Sequence, residues 1–184
     1  MKAIILFACC LSAIISFGQQ NREQRRILNV DSFLRATQEK GMNKPFPEFS
    51  VTQGTTLTNA DLKGKITFIN FWFAACAPCV AEFGGLNELY DKLKDNKDVK
   101  FLSFTFESPE KVAEFAEKYK MPYKAISVEE SECRRLNFNA GFPANIILDR
   151  DGVVRFFKIG GSVDKAEASR VIVAEVYSKI MAML

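Results

Sequence analysis

The sequence predicts an α/β layer fold for residues 44–184, and three observations carry that expectation. The run "ITFINFW" (66–72) is apolar on both alternating faces, as a strand covered by helices on each side must be. Strand-like runs of this kind are followed by segments whose apolar residues recur every three or four positions, the spacing of a helix with one buried face. Before the last such segment, "GFPANIILDRDGVVRFFKIGG" (141–161) reads as a hairpin turning at Arg150-Asp151-Gly152. Alternation of β and α argues for helices layered on a sheet.

Residues 21–42 are polar with scattered apolar positions (Ile27, Leu28, Phe33, Leu34), and Asp31 suits the N-cap of a helix ending near Gly41. "NKPFPEFSVTQGTTLTNADLKGK" (43–65) has short alternating pieces punctuated by Pro45, Pro47, Gly54 and Gly64, which suits an entry hairpin. After the buried strand 66–72, apolar residues at Val80, Phe83, Leu86, Leu89, Tyr90 and Leu93 predict a helix that begins at Cys76. "VKFLSFTF" (99–106) is a second buried strand. "SPEKVAEFAEKY" (108–119) supplies Ser108 as N-cap, Pro109 at the first helical position and an apolar face at Val112, Phe115 and Tyr119. A short strand over 125–128 and a helix over 129–136 precede the hairpin. The closing helix carries a stripe of Val173, Val176, Tyr177, Ile180, Met181 and Leu184.

The first twenty residues, "MKAIILFACCLSAIISFGQQ", have the form of a secretory signal peptide: Lys2, an apolar run from Ala3 to Phe17, and small residues Ser16 and Gly18 before Gln19. The expected organisation is a signal peptide over 1–18, an N-terminal extension over 19–43 and one domain over 44–184. An uncleaved N-terminus serving as a membrane anchor is the alternative, although the run is shorter than the roughly 20 apolar residues that span a bilayer. A net charge of +3 with mixed signs leaves no electrostatic footprint for nucleic acid. Removal of the leader takes Cys9 and Cys10 with it and leaves Cys76, Cys79 and Cys133 in an oxidising compartment.

Cys76 and Cys79 are the chemical centre of the sequence. Placed where a strand ends and a helix starts, the Cys76 sulfur would face unpaired backbone N–H groups and the positive end of the helix dipole, both of which favour thiolate. Cysteines so placed fall from about 8.5 to about 3.5–7.5. Pro78 is tolerated there because the first turn has no intrahelical N–H to lose. Cys79, three residues on, could displace whatever Cys76 captures and close a disulfide. A zinc site lacks ligands, since the chain has no histidine. A purely structural bridge would close too short a loop to add much stability. Glu82 continues the same helical side and is either a buried acid able to move a proton or an ordinary exposed glutamate. Pro143 directly precedes a strand; taken alone it reads as a trans proline opening that strand, with a cis Phe142-Pro143 bond as the alternative.

With "KPFPEFSV", "LKGKITFINFW", the C-x-x-C-x-x-E spacing and the long stretch before "GFPANIILDRDG", the chain from Lys44 onward resembles exported thiol-disulfide oxidoreductases of the TlpA/ResA type, in the thioredoxin-like superfamily. The resemblance implies a central mixed sheet flanked by helices, an N-terminal hairpin and an inserted helix-strand element. It implies Cys76 as the attacking cysteine, Cys79 as the resolving one and Glu82 as a proton relay. Pro143 becomes a cis proline facing the disulfide, and Trp72, Ala77, Pro78 and Phe142 fall at the client-binding surface, Trp72 as its support. Asn70 stands where cytoplasmic thioredoxins carry a buried aspartate. Ala75 replaces the usual tryptophan before the first cysteine, and Phe142 is larger than the residue usual before the proline. The implied partners are protein thiol or disulfide clients and a membrane electron donor, in the periplasm; no metal or other cofactor is expected, and the sequence leaves the oligomeric state open, with a monomer favoured. Without the histidine of strong oxidants between its cysteines, the chain reads as a reductant. Two other functions stay open on the sequence. One is an exported peroxiredoxin-like peroxidase, whose P-x-x-x-T-x-x-C signature the residues before Cys76 and Cys79 do not supply; the other is a non-catalytic binding module. Cys133 reads as a buried free thiol or, alternatively, as a regulatory one.

Overall fold

The structure, a computed structural model, describes residues 2–184, with side chains from Arg22 onward together with Gln19. The leader predicted over 1–18 therefore lies outside the described side chains. No helix among the described residues is long and apolar enough to cross a membrane.

Two units are distinguished, residues 1–36 and 37–184. The first is the body of helix α1 (Lys2–Gly41). Asp31 does not start a helix, because nothing breaks the one already running: residues 19–40 contain neither glycine nor proline and are rich in Gln, Arg, Glu and Leu, all good helix formers. The last turn of α1 belongs to the second unit. There Thr37 is buried, Gln38 Nε2 donates to the Phe157 carbonyl at 2.8 Å, and Gly41 lies against the rings of Phe138 and Phe157.

In the second unit, β1 (Ser50–Gln53) and β2 (Thr55–Thr58) form the expected entry hairpin, turning at Gly54, whose φ of +84° disfavours a side chain. A five-stranded sheet follows, ordered β5-β4-β3-β6-β7, from β3 (Ile66–Trp72), β4 (Val99–Thr105), β5 (Ala125–Ser127), β6 (Ala144–Leu148) and β7 (Val154–Ile159). β3 and β4 are parallel, as are β4 and β5, whereas β6 runs antiparallel to both β3 and β7. This is the mixed sheet expected. β3 is its centre, and all seven of its residues are buried. Ile69 and Phe71 enter one core layer with Phe46, Phe49 and Phe104, while Phe68 and Trp72 enter the other with Phe83, Leu86 and Leu89.

Helices α2 (Ala77–Leu93), α3 (Pro109–Tyr119) and α4 (Glu130–Leu136) fall at the predicted places. Ser108 caps α3 through its Oγ, which accepts from Lys111 N at 3.3 Å, with Pro109 opening the helix. The C-terminal rod comprises α5 (Lys165–Arg170), a π-helical stretch (Val171–Val176) and α6 (Tyr177–Met181). Its buried stripe is Ala168, Ile172, Val176 and Ile180, which shares Val176 and Ile180 with the predicted one; Val173 and Tyr177 are half-buried, and Met181 and Leu184 are 45% and 41% exposed. An ideal α-helix would carry a strict four-residue stripe about 40° around its axis with each step. The wider turns of the π stretch take that rotation back, a device invisible to a search at the α-helical period.

Helix α2 meets this rod at Gly84 and Gly85. A Cβ on Gly85 would stand 2.7 Å from Cα of Ser169 and 3.1 Å from Cβ of Ile172. Gly85→Ala is therefore expected to destabilise the protein by about 1–3 kcal/mol in urea unfolding, although alanine is the better helix former, because overpacking outweighs the propensity gain.

Candidate active site

The site is built at the carboxyl end of β3. After Trp72 the chain turns through Phe73 to Ala75, and Cys76 becomes the N-cap of α2 with extended backbone (φ −86°, ψ 97°). Its sulfur accepts from Cys79 N at 3.2 Å. The turn is held from outside by Glu107, whose Oε1 accepts from Ala74 N at 2.7 Å. Cys76 and Cys79 are joined as a disulfide with their Cα atoms 5.2 Å apart. Cys76 keeps 5% of its surface and Cys79 1%, between exposed Ala75 and Ala77 and half-buried Pro78. What little access the pair has is at Cys76.

The Phe142-Pro143 peptide is cis, and Pro143 is buried while Phe142 is half-exposed. The Phe142 ring closes a triangle of half-exposed aromatics with Phe73 and Phe106, at centroid distances of 5.3, 5.3 and 5.5 Å, and Arg134 lies over it at 5.6 Å. Phe73 and Phe106 were not among the sequence-based candidates; each follows the last residue of its strand, and only the parallel pairing of β3 with β4 brings them together.

Trp72 is placed differently from the expectation of a client-binding residue. It is fully buried, donates from Nε1 to Ser103 Oγ at 3.0 Å, stacks on Phe115 and meets Phe83 edge-on. A side chain with no exposed surface supports the site from beneath and cannot touch a client.

Of the two readings open for Glu82, the buried one is observed: it is 1% exposed, on the inner side of α2. Its Oε2 accepts from Asn145 Nδ2 at 3.1 Å, and Asn145 Oδ1 accepts from Asn70 Nδ2 at 2.9 Å. Burial pushes the carboxyl up to about 7, against smaller lowering effects of the Asn145 hydrogen bond and the Lys158 charge. Asn145 was missed by the sequence reading. Its signal was present, since an amide inside the otherwise apolar strand "ANIIL" must find a partner.

Cys133 is a buried free thiol in the other core layer, beside Leu136, and burial pushes it up to about 12, so it contributes no thiolate near neutrality. A cavity of about 310 Å³ under the entry hairpin, among Gln53, Phe101 and Tyr123, includes none of the candidate site residues.

Residues 42–157 match the model of the AhpC/TSA family. The chain is 30% identical over 126 residues to the thiol-disulfide oxidoreductase ResA of Bacillus cereus, covering 66% of this chain and 72% of that protein. It is also 30% identical over 123 residues to the thiol:disulfide interchange protein DsbE of Pseudomonas fluorescens, covering 65% and 67%. Among solved structures, a thioredoxin-family thiol:disulfide interchange protein from Chlorobium tepidum superposes with a TM-score of 0.57 at 25% identity, covering 74% of this chain and 98% of that one. The chain belongs to the AhpC/TSA family and, within the thioredoxin-like fold, stands with the ResA-type thiol-disulfide oxidoreductases.

Proposed function

We propose that the protein is an exported dithiol reductant that passes electrons from Cys76 and Cys79 to disulfides in client proteins. The observation that carries this reading is the Cys76 sulfur at the N-cap of α2, bridged to Cys79 and hydrogen-bonded by the Cys79 amide. Once the bridge is reduced, that amide and the helix dipole stabilise negative charge on Cys76, making it the nucleophile. Cys76 thiolate attacks a client disulfide, one client sulfur leaves as thiolate, and a mixed disulfide forms. Cys79 then loses its proton to Glu82 and attacks Cys76, releasing the second client sulfur and closing the Cys76–Cys79 bridge. Ala77, Pro78, Phe142 and the backbone at Pro143 form the surface along which an extended client segment docks, with Phe73 and Phe106 widening its apolar part.

In this reading residues 1–18 direct export to the periplasm, or remain as an anchor, and a membrane donor of the thiol-reducing type restores the dithiol. Clients include envelope proteins with unwanted disulfides and apocytochromes whose cysteines await haem. Equilibration against glutathione tests the direction of flow. A potential below roughly −220 mV is expected; one above it, toward the roughly −120 mV of strong oxidants, overturns the reductant assignment.

A further inference from the structure

Strand β4 has seven residues and its neighbour β5 three, so the two pair only from Ser103 onward, opposite Ala125. Ahead of that point the chain entering β5 through Tyr123 and Lys124 forms no ladder with Phe101 and Leu102. The rings of Phe101 and Tyr123 meet at 4.7 Å in one core layer, while Leu102 and Ile126 turn into the other. Lys124 Nζ donates to the Gln53 carbonyl at 3.1 Å and ties the entry hairpin to the start of β5. The cavity of about 310 Å³ lies in the gap so formed, at the small end of the roughly 300–1,000 Å³ of small-molecule sites.

Two polar atoms of its lining are enclosed without a partner. Tyr123 is 5% exposed, and neither its Oη nor Gln53 Oε1 has a hydrogen-bond partner among the described residues. A buried polar atom left so lowers stability, and two of them lining one cavity call for a group that bonds to them. Burial pushes the Tyr123 phenol far above its usual range, and the Glu82 charge acts the same way, so Oη keeps its proton and can donate it. The Gln53 oxygen can only accept. A hydroxyl is the smallest group that carries both of the functions required. Around these atoms the rings of Tyr90, Phe101 and Tyr123 supply aromatic surface, and Leu57 and Ile126 add aliphatic surface. Lys124 is the one charged side chain in the lining, and its ammonium is engaged on the Gln53 carbonyl. Such a lining suits a neutral ring better than an ion.

We propose that this cavity binds a small neutral aromatic alcohol, a phenol, with its ring against Tyr90, Phe101 and Tyr123 and its hydroxyl accepting from Tyr123 Oη and donating to Gln53 Oε1. The site is separate from the redox centre, since neither cysteine, Glu82 nor Pro143 lines it.

The test is titration of the oxidised protein with p-cresol, followed through the NMR methyl resonances of Leu57, Leu102 and Ile126. Saturable shifts are expected, with a Kd of about 1 mM or below. p-Xylene, the same ring with a methyl group in place of the hydroxyl, is expected to bind at least ~10-fold more weakly, because it leaves both polar atoms unpaired. Tyr123→Phe is expected to weaken p-cresol binding by ~10-fold, to leave p-xylene binding unchanged and to fold as stably as wild type, the lost hydroxyl having had no protein partner. The absence of saturable shifts, which is the outcome if water alone serves the two atoms, overturns the proposal. So does equal binding of p-xylene, p-cresol binding undiminished in Tyr123→Phe, or shifts confined to Phe142 and its neighbours. The comparison of the two probes on the wild-type protein decides the matter even if the variant fails to fold.

Discussion

Cys76→Ala is expected to lower insulin reduction by ~10³-fold or more, to the background of the reductant in the assay, since no other group can replace the attacking sulfur. Cys133 is fully buried with its thiol pushed up to about 12, and Cys79 is 1% exposed beneath Cys76. Cys79→Ser is expected to behave differently: the first attack proceeds, resolution does not, and a stable adduct on Cys76 accumulates, visible by mass spectrometry as one client chain per protein. Equal activity of Cys76→Ala and wild type would leave only a binding module.

The second large effect is at Glu82, and its sign depends on pH. The carboxyl titrates near 7 in the folded protein against 4.5 for the ordinary group. Below about pH 4.5 it is protonated whether the chain is folded or not, and folding bears no penalty. As pH rises toward about 7 the unfolded chain ionises first, and the difference lowers folded stability; above that the full cost, about 3 kcal/mol, is present. Glu82→Gln is neutral throughout and its Oε1 can still accept from Asn145. It is expected to exceed wild type by about 3 kcal/mol in urea unfolding at about pH 8 and to lose that advantage at about pH 4. The same variant is expected to slow client release near neutrality by ~10²-fold, the usual size of a lost general base. A variant less stable than wild type at high pH would show that Glu82 is not held as a buried acid.

Most of the framework was legible because it is written in short-range patterns. Strands, helices and the hairpin follow from periodicities of two and of three to four residues, and the N-cap position of Cys76 follows from a strand giving way to a helix with proline in its first turn. What was not legible depends on distant partners. Asn145 meets Asn70 across 75 positions of sequence through the antiparallel pairing of β3 and β6, and Glu82 across 63 from the buried side of α2. Trp72 is legible as the last residue of a buried strand, but that Ser103, Phe83 and Phe115 enclose it and keep it from any client is not. Gly161 looks like ordinary loop glycine; its nearness to Glu82 and Pro143 comes from the way β7 leads into α5. At the N-terminus the error was local. Asp31 is a good cap, but a cap matters only where the preceding residues are not already helical.

The central claim is that the reduced Cys76 sulfur ionises readily because it stands at the amino end of α2 with the Cys79 amide directed at it. The pH dependence of Cys76 alkylation, measured on the reduced protein with Cys79 replaced by serine, tests this most directly. The account predicts a midpoint well below the about 8.5 of free cysteine, within the range seen at helix N-termini. A midpoint at or above that value, or no alkylation at any pH at which the protein stays folded, would contradict it.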